Sequence, residues 1–202
     1  MKNYKFTQDW FDPKEFNLVL PKEINEEFHI LEIGSFEGKS TIWFLENILK
    51  NSRSTITCVD PWTKYNQDND SFNSYTKDHT EWDFTETKNL FLHNINESGY
   101  EHKVKINQGL SHNILPKLII ENKKYDFIFI DGNHTSPFVL TDTIMSWYLL
   151  KKDGILMFDD YLWGNITSTD SPKLAIDSFV KCFEDYLNII HSDYRFAIKK
   201  VK

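Results

Sequence analysis

Carboxylates close several of the short apolar runs in this chain: Asp60 in Cys58-Val59-Asp60-Pro61-Trp62, Asp131 in Phe127-Ile128-Phe129-Ile130-Asp131, and Asp159-Asp160 after Met157-Phe158. Another run, Leu31-Glu32-Ile33, leads into Gly34-Ser35-Phe36-Glu37-Gly38-Lys39-Ser40. Gly34 and Gly38 let a backbone turn tightly and approach a ligand, and a helix starting there offers free N–H groups. Asp60 follows about 20 residues later, where a carboxylate can accept both hydroxyls of a ribose. Only three residues separate the glycines, so neither G-x-G-x-x-G nor the P-loop pattern fits. Taken singly, each glycine can be a turn or packing residue and Asp60 a strand end. Their conjunction is what suggests a ligand. His134 stands three residues after Asp131. An imidazole there can take a proton from a substrate hydroxyl near neutral pH, or simply cap the next helix.

Such residues need rigid carriers. The runs Phe28 to Ile33, Thr55 to Val59, Val104 to Ile106, Tyr125 to Ile130 and Gly154 to Phe158 are apolar at nearly every position, which suits strands buried on both faces of a parallel sheet. Between them, Lys39 to Leu49, Phe84 to Ile95, Ser111 to Ile120 and Val139 to Leu150 have helical spacing. The alternation predicts an α/β fold with right-handed crossovers and helices on both faces. Leu174 to Leu187 reads as one more helix, and Ile189 to His191 with Tyr194 to Val201 as a hairpin turning at Ser192-Asp193. Ligands of such sheets bind beyond the carboxyl ends of the strands, where the acids and glycines fall.

Residues 1–28, interrupted by Pro13 and Pro21, read as an arm or short helices, and 29–202 as the domain itself. Thr63 to Asp83 exceeds an ordinary connection of about 2–6 residues and is a candidate lid. Its Tyr65, Phe72, Tyr75 and Trp82, together with Trp62, Tyr161 and Trp163, could enclose a ring-shaped acceptor or pack as local core. Trp163, followed by Gly164, is the best placed for substrate contact. Asp68-Asn69-Asp70 reads as a solvated loop without the spaced ligands of a calcium loop.

Composition narrows the partner. With 202 residues, 40% of them hydrophobic, the chain fits one globular domain. Thirty acidic against 23 basic residues, a formal charge of -7, disfavours nucleic acid, whose binding rests on clustered Lys and Arg. Cys58 and Cys182 have neither zinc-ligand spacing nor a disulfide framework. No apolar run nears the roughly 18 residues of a membrane span, and the first residues lack a signal-peptide core. The expectation is a cytoplasmic protein with a small-molecule partner, no nucleic acid and no membrane. Its oligomeric state stays open, a homo-oligomer included.

The strings Ile30 to Ser40, Val59 to Trp62, Gln108-Gly109-Leu110-Ser111, Phe127 to His134 and Phe158-Asp159-Asp160-Tyr161, in this order, resemble class I S-adenosylmethionine-dependent methyltransferases. The resemblance is to the branch of catechol O-methyltransferase-like and macrolide-sugar O-methyltransferase-like enzymes (methyltransferase domain family 24 type), and covers about residues 29–180. It implies a Rossmann-like three-layer α/β/α sandwich with a mostly parallel seven-stranded sheet of order 3-2-1-4-5-7-6 and a C-terminal antiparallel hairpin. It puts the methionine end of S-adenosylmethionine near Glu32, Gly34, Ser35 and Gly38, the ribose on Asp60 beside Trp62, and the adenine near Gly109 and Ser111. Phe36 departs from the family's E/D-x-G-x-G-x-G by replacing the middle glycine.

The resemblance also implies a divalent metal, Mg2+ first, on Asp131, Asp159 and Asp160, with Asp131 and His134 as the catalytic residues. His134 stands where catechol O-methyltransferase-like enzymes carry a lysine base, and Asp160 where some carry Asn. In the implied sheet, Asp131 and Asp159 end neighbouring strands roughly 5 Å apart, and acids so close need a cation. Adjacent strand residues face opposite ways, so Asp159 and Asp160 share an ion only if the chain has begun to turn; otherwise one of them caps a loop or helix. The expected activity is metal-assisted O-methylation of a small hydroxylated acceptor. The alternatives are a nicotinamide-dependent oxidoreductase, disfavoured by the missing G-x-G-x-x-G, and a non-catalytic cofactor-binding module. The Asn/Asp-Pro-Pro-Tyr/Phe signature of amino-methylating enzymes is missing from the sequence.

Overall fold

The computed structural model describes residues 2–21, 24–63 and 83–202. At its centre β1 (His29–Ile33), β2 (Thr55–Asp60), β3 (Val104–Gln108), β4 (Tyr125–Ile130) and β5 (Leu150–Phe158) run parallel. A hairpin of β6 (Leu187–Ser192) and β7 (Phe196–Lys200) is antiparallel, completing a seven-stranded sheet in the order β3-β2-β1-β4-β5-β7-β6. This is the Rossmann-like sandwich expected from the sequence. Most of the lid segment, including Tyr65, Asp68-Asn69-Asp70, Phe72, Tyr75 and Trp82, lies outside the described residues.

Strand alternation sorts the core into two layers. On one face Leu31, Ile33, Ile128, Ile130, Leu156 and Phe158 pack against α4 (Ser111–Ile120), α5 (Ser136–Leu149) and α6 (Lys173–Cys182). On the other, Ile30, Phe127, Phe129 and Met157 pack against α1 (Phe16–Val19), α2 (Lys39–Asn47) and α3 (Phe84–Ser98). The N-terminal segment is therefore more than a cover: Phe16 is fully buried, edge-on to Phe44 at 5.3 Å and Phe129 at 4.9 Å. Among the described residues no helix is long and apolar enough to cross a membrane.

The elements depart from expectation in two places. β3 is an edge strand with Lys105 and Ile106 exposed, so it is not buried on both faces. The last helix stops at Cys182 instead of Leu187. Phe183 leaves helical geometry at φ -113° and ψ 18° with its ring on Phe179 at 4.3 Å and Trp147 at 5.1 Å. A 3-10 turn at Glu184–Tyr186 follows, and Leu187 pairs with Lys200. The spacing through Leu187 also fits a helix; the ladder to β7 takes precedence over another helical turn.

Candidate active site

The glycine turn is built from β1 outward. Gly34 has φ +87°, and a Cβ placed on it would lie 2.0 Å from the Asp131 carbonyl oxygen, so any other residue would collide with the end of β4. The N–H of Gly34 bonds the Val59 carbonyl at 2.9 Å, and that of Asp131 bonds Ile33 at 2.8 Å. Phe36 adopts φ +47° where the related pattern has glycine. Asp60 and Trp62 hold it there. Asp60 Oδ2 accepts from the N–H of Ser35 (3.0 Å) and of Phe36 (2.9 Å), while Trp62 Nε1 donates to the Phe36 carbonyl at 2.8 Å. Two outside anchors thus offset the strain of a non-glycine residue in the left-handed region.

Several residues expected to touch cofactor support this turn from behind. Glu32 is fully buried and accepts from the hydroxyls of Ser35 (2.7 Å), Ser40 (2.5 Å) and Thr41. Desolvation raises its carboxyl pKa, opposed by those donors. Gly38 caps α2 at φ +82°, against the Phe91 ring. Trp62 is 3% exposed, its ring 4.7 Å from that of Phe91. A cavity of about 700 Å³ lies over the carboxyl ends of the strands, and of the expected cofactor residues Gly34, Ser35, Asp60, Gly109 and Ser111 line it, whereas Glu32, Gly38 and Trp62 do not.

Asp60 has a double task. Both oxygens already accept backbone N–H groups, Oδ1 from Trp62 at 2.8 Å, and desolvation raises its pKa against those three donors. A carboxylate has about four acceptor sites, so one remains for a ribose hydroxyl. Asp60→Ala should weaken S-adenosylhomocysteine binding by about 1.5–3 kcal/mol, roughly 10- to 150-fold. Calorimetry checks this; an unchanged affinity removes Asp60 from the site.

Asp131, His134, Asp159 and Asp160 line the same cavity. Asp160 has begun to turn, at φ +56°, so the adjacent acids part. Arg195, 4% exposed, takes Asp159 with Nε at 2.9 Å and Nη2 at 3.2 Å and donates Nη1 to the Asp12 carbonyl at 2.7 Å. Asp160 instead meets His134 Nε2 at 2.9 Å and the Tyr194 hydroxyl at 2.6 Å. The cluster whose ligand atoms all lie within 4.8 Å of one another is therefore Asp131, His134 and Asp160. Of the expected trio Asp131, Asp159 and Asp160, Asp159 has both oxygens held by the Arg195 guanidinium, while His134 stands with Asp131 and Asp160.

Electrostatics follow the same division. Asp131 is pushed well up by desolvation and by the Asp159 and Asp160 charges, with Arg195 opposing. Asp159 is raised by desolvation, again against Arg195. In Asp160 desolvation is outweighed by the bond and charge of His134 and by the Tyr194 hydroxyl, leaving its pKa lowered. Burial and Asp160 raise the Tyr194 phenol in turn.

Trp163 lines the cavity edge-on to His134 at 4.9 Å, as expected for a substrate-contacting residue. Tyr161 is 8% exposed and packs on Phe196 at 4.7 Å as core. Sequence reasoning missed a whole wall: Phe6, Gln8, Trp10 and Phe11 also line the cavity. Thr7 ties this arm to the glycine turn, its N–H and hydroxyl bonding Glu37 at 2.7 and 2.6 Å, and Trp10 stacks on Phe36 at 5.7 Å. Nothing periodic marks the arm. Arg195 was more accessible: Phe196 pairs with Phe158, which puts an arginine beside an acid-ended strand.

Comparison with known proteins gives this geometry a family. A family model described as Methyltransferase domain (type 24) matches residues 31–161, more than half of the chain. Caffeoyl-CoA O-methyltransferase 2 of Populus trichocarpa is 26% identical over 107 residues, 50% of this chain and 41% of that protein. Caffeoyl-CoA O-methyltransferase of Medicago sativa is 26% identical over 106 residues, with the same coverage. The matched part thus spans well under half the length of these curated relatives. Among solved structures, the O-methyltransferase TomG of Streptomyces achromogenes, in complex with SAM, aligns with a TM-score of 0.63 at 17% identity over 86% of this chain and 73% of that one. An O-methyltransferase of Bacillus cereus in complex with SAH gives 0.60 at 18% identity, over 86% and 74%. These structures share the fold, and the family match over β1 to the end of β5 and its acids is direct: the chain belongs to the methyltransferase-domain family.

Proposed function

We propose that this chain is an O-methyltransferase that moves the sulfonium methyl of S-adenosylmethionine to a hydroxyl of a small acceptor. The observation that carries the reading is a single cavity lined both by the glycine turn and Asp60 and by Asp131, His134 and Asp160. The relatives' O-methyltransferase names support it. The acceptor oxygen attacks the methyl carbon; the O–C bond forms as the S–C bond breaks, the electron pair returns to sulfur, and S-adenosylhomocysteine remains. The hydroxyl proton goes to His134. Its Nε2 and Asp160 Oδ2 are 2.9 Å apart, and two acceptors so close repel unless a proton or a cation lies between them. Asp160 thus orients the imidazole. Trp163 and the N-terminal aromatics exclude water and hold an apolar acceptor.

The crowded acids Asp131 and Asp160, with Asp159 beside them, fit a divalent cation. Bound there, it would favour the deprotonated form of the acceptor hydroxyl. We place the protein in the cytoplasm, with a small-molecule partner. The test is transfer of labelled methyl from S-adenosylmethionine across a library of hydroxylated acceptors, with Mg2+, Mn2+ or chelator. Methylated product that vanishes in chelator and returns with metal is expected. Full turnover in chelator removes the metal alone; transfer to nitrogen but never to oxygen overturns the O-methyltransferase reading.

A further inference from the structure

Asp142 is a buried acid that the chemistry above does not use. It sits on α5, 2% exposed, and its side chain belongs to the cavity wall. This arm of the cavity wall also includes Gly109, Leu110, Ser111 and His112 at the start of α4 and Phe138 on α5. The Ser111 hydroxyl lies near its carboxyl and draws its pKa down against burial. The rings of His112 and Phe138 lie 6.4 Å apart at 34°, giving this arm flat, largely apolar sides. Burial pushes the Asp142 carboxyl up to about 7, so the free protein holds an acid that its surroundings disfavour as a charge. A well-packed apolar residue would remove that cost. An acid kept buried in a cavity wall that also carries flat rings makes sense if a ligand brings it an N–H donor.

In S-adenosylmethionine the flat group is adenine, and the donor on its far edge is the exocyclic 6-amino group. Resting on the methyltransferase reading, we propose that Asp142, steadied by Ser111, accepts a hydrogen bond from the adenine 6-amino group and sets cofactor specificity at that position. Either protonation state keeps an acceptor oxygen for this bond. A purine without the amino group would leave the buried carboxyl unmatched, which is how polar sites reject analogues lacking their partner.

A double-mutant cycle between protein and ligand isolates the contact. Calorimetry would compare S-adenosylhomocysteine with its 6-deamino purine analogue on the wild type, Asp142→Ala and Asp142→Asn. The wild type should prefer the 6-amino ligand by at least about tenfold. Asp142→Ala should bind both ligands alike, and Asp142→Asn, which keeps an acceptor oxygen, should retain most of the preference. A wild type that binds both equally, or an undiminished preference in Asp142→Ala, overturns the assignment and leaves the methyltransferase reading standing. A wild type that binds neither ligand overturns both.

Discussion

Arg195→Leu should lower the unfolding free energy by about 3–5 kcal/mol, the usual result of removing one partner from a buried ion pair. For a chain of this size that is a fall of roughly 6–20 °C in melting temperature. The side chain has no route to rearrange: its guanidinium holds both oxygens of Asp159 and the Asp12 carbonyl and lies 4.9 Å from the Phe16 ring. Without it, Asp159 faces Asp131 and Asp160 with no compensating charge. The double variant Arg195→Leu with Asp159→Leu should recover most of the loss, because the penalty lies in the stranded carboxylate and not in the missing attraction. Thermal denaturation of the three proteins decides it. A double variant no more stable than Arg195→Leu would mean that the arginine acts through packing on the N-terminal segment.

His134→Ala should reduce kcat by about 10²- to 10⁴-fold, the range for a positioned general base, with S-adenosylhomocysteine affinity unchanged within about twofold. The imidazole stands beside Asp160 and Trp163, and its proposed task is to the acceptor and not to the cofactor. Asp160→Ala should cost a similar factor, and the double variant scarcely more than either single change, since residues acting as one unit are not additive. A rise in KM alone, with kcat intact, would reduce His134 to a binding contact.

Much of this architecture was legible because parallel strands buried on both faces leave a plain pattern. β1, β2 and β4 follow their apolar runs to within a residue or two, and Asp60 and Asp131, which close β2 and β4, line the cavity. Edge and exit elements were harder. The outer position of β3 and the short α6 depend on which strand has a neighbour, and local spacing carries no such information. The N-terminal wall escaped for a related reason: Phe6, Trp10 and Phe11 have no period, and their place comes from long-range bonds such as Thr7 to Glu37.

The candidate site residues were legible by type, whereas the contacts they make in the fold were not. Residue type told that Glu32, Asp60 and Trp62 matter, but not that each spends bonding capacity on the glycine turn, which only the folded contacts reveal. Asp159 and Asp160 were adjacent acids with one expected task. The left-handed turn at Asp160 sends one to Arg195 and the other to His134, and no pattern in the linear sequence states that φ. Asp142 had no motif to mark it; its burial and its place on the cavity wall single it out.

The most direct test of the central claim is calorimetric titration of the intact protein with S-adenosylhomocysteine, with NAD titrated in parallel. Saturable binding of one S-adenosylhomocysteine per chain, with no binding of NAD, is the predicted result. Binding of NAD in preference to S-adenosylhomocysteine, or no binding of S-adenosylhomocysteine at all, would contradict the account.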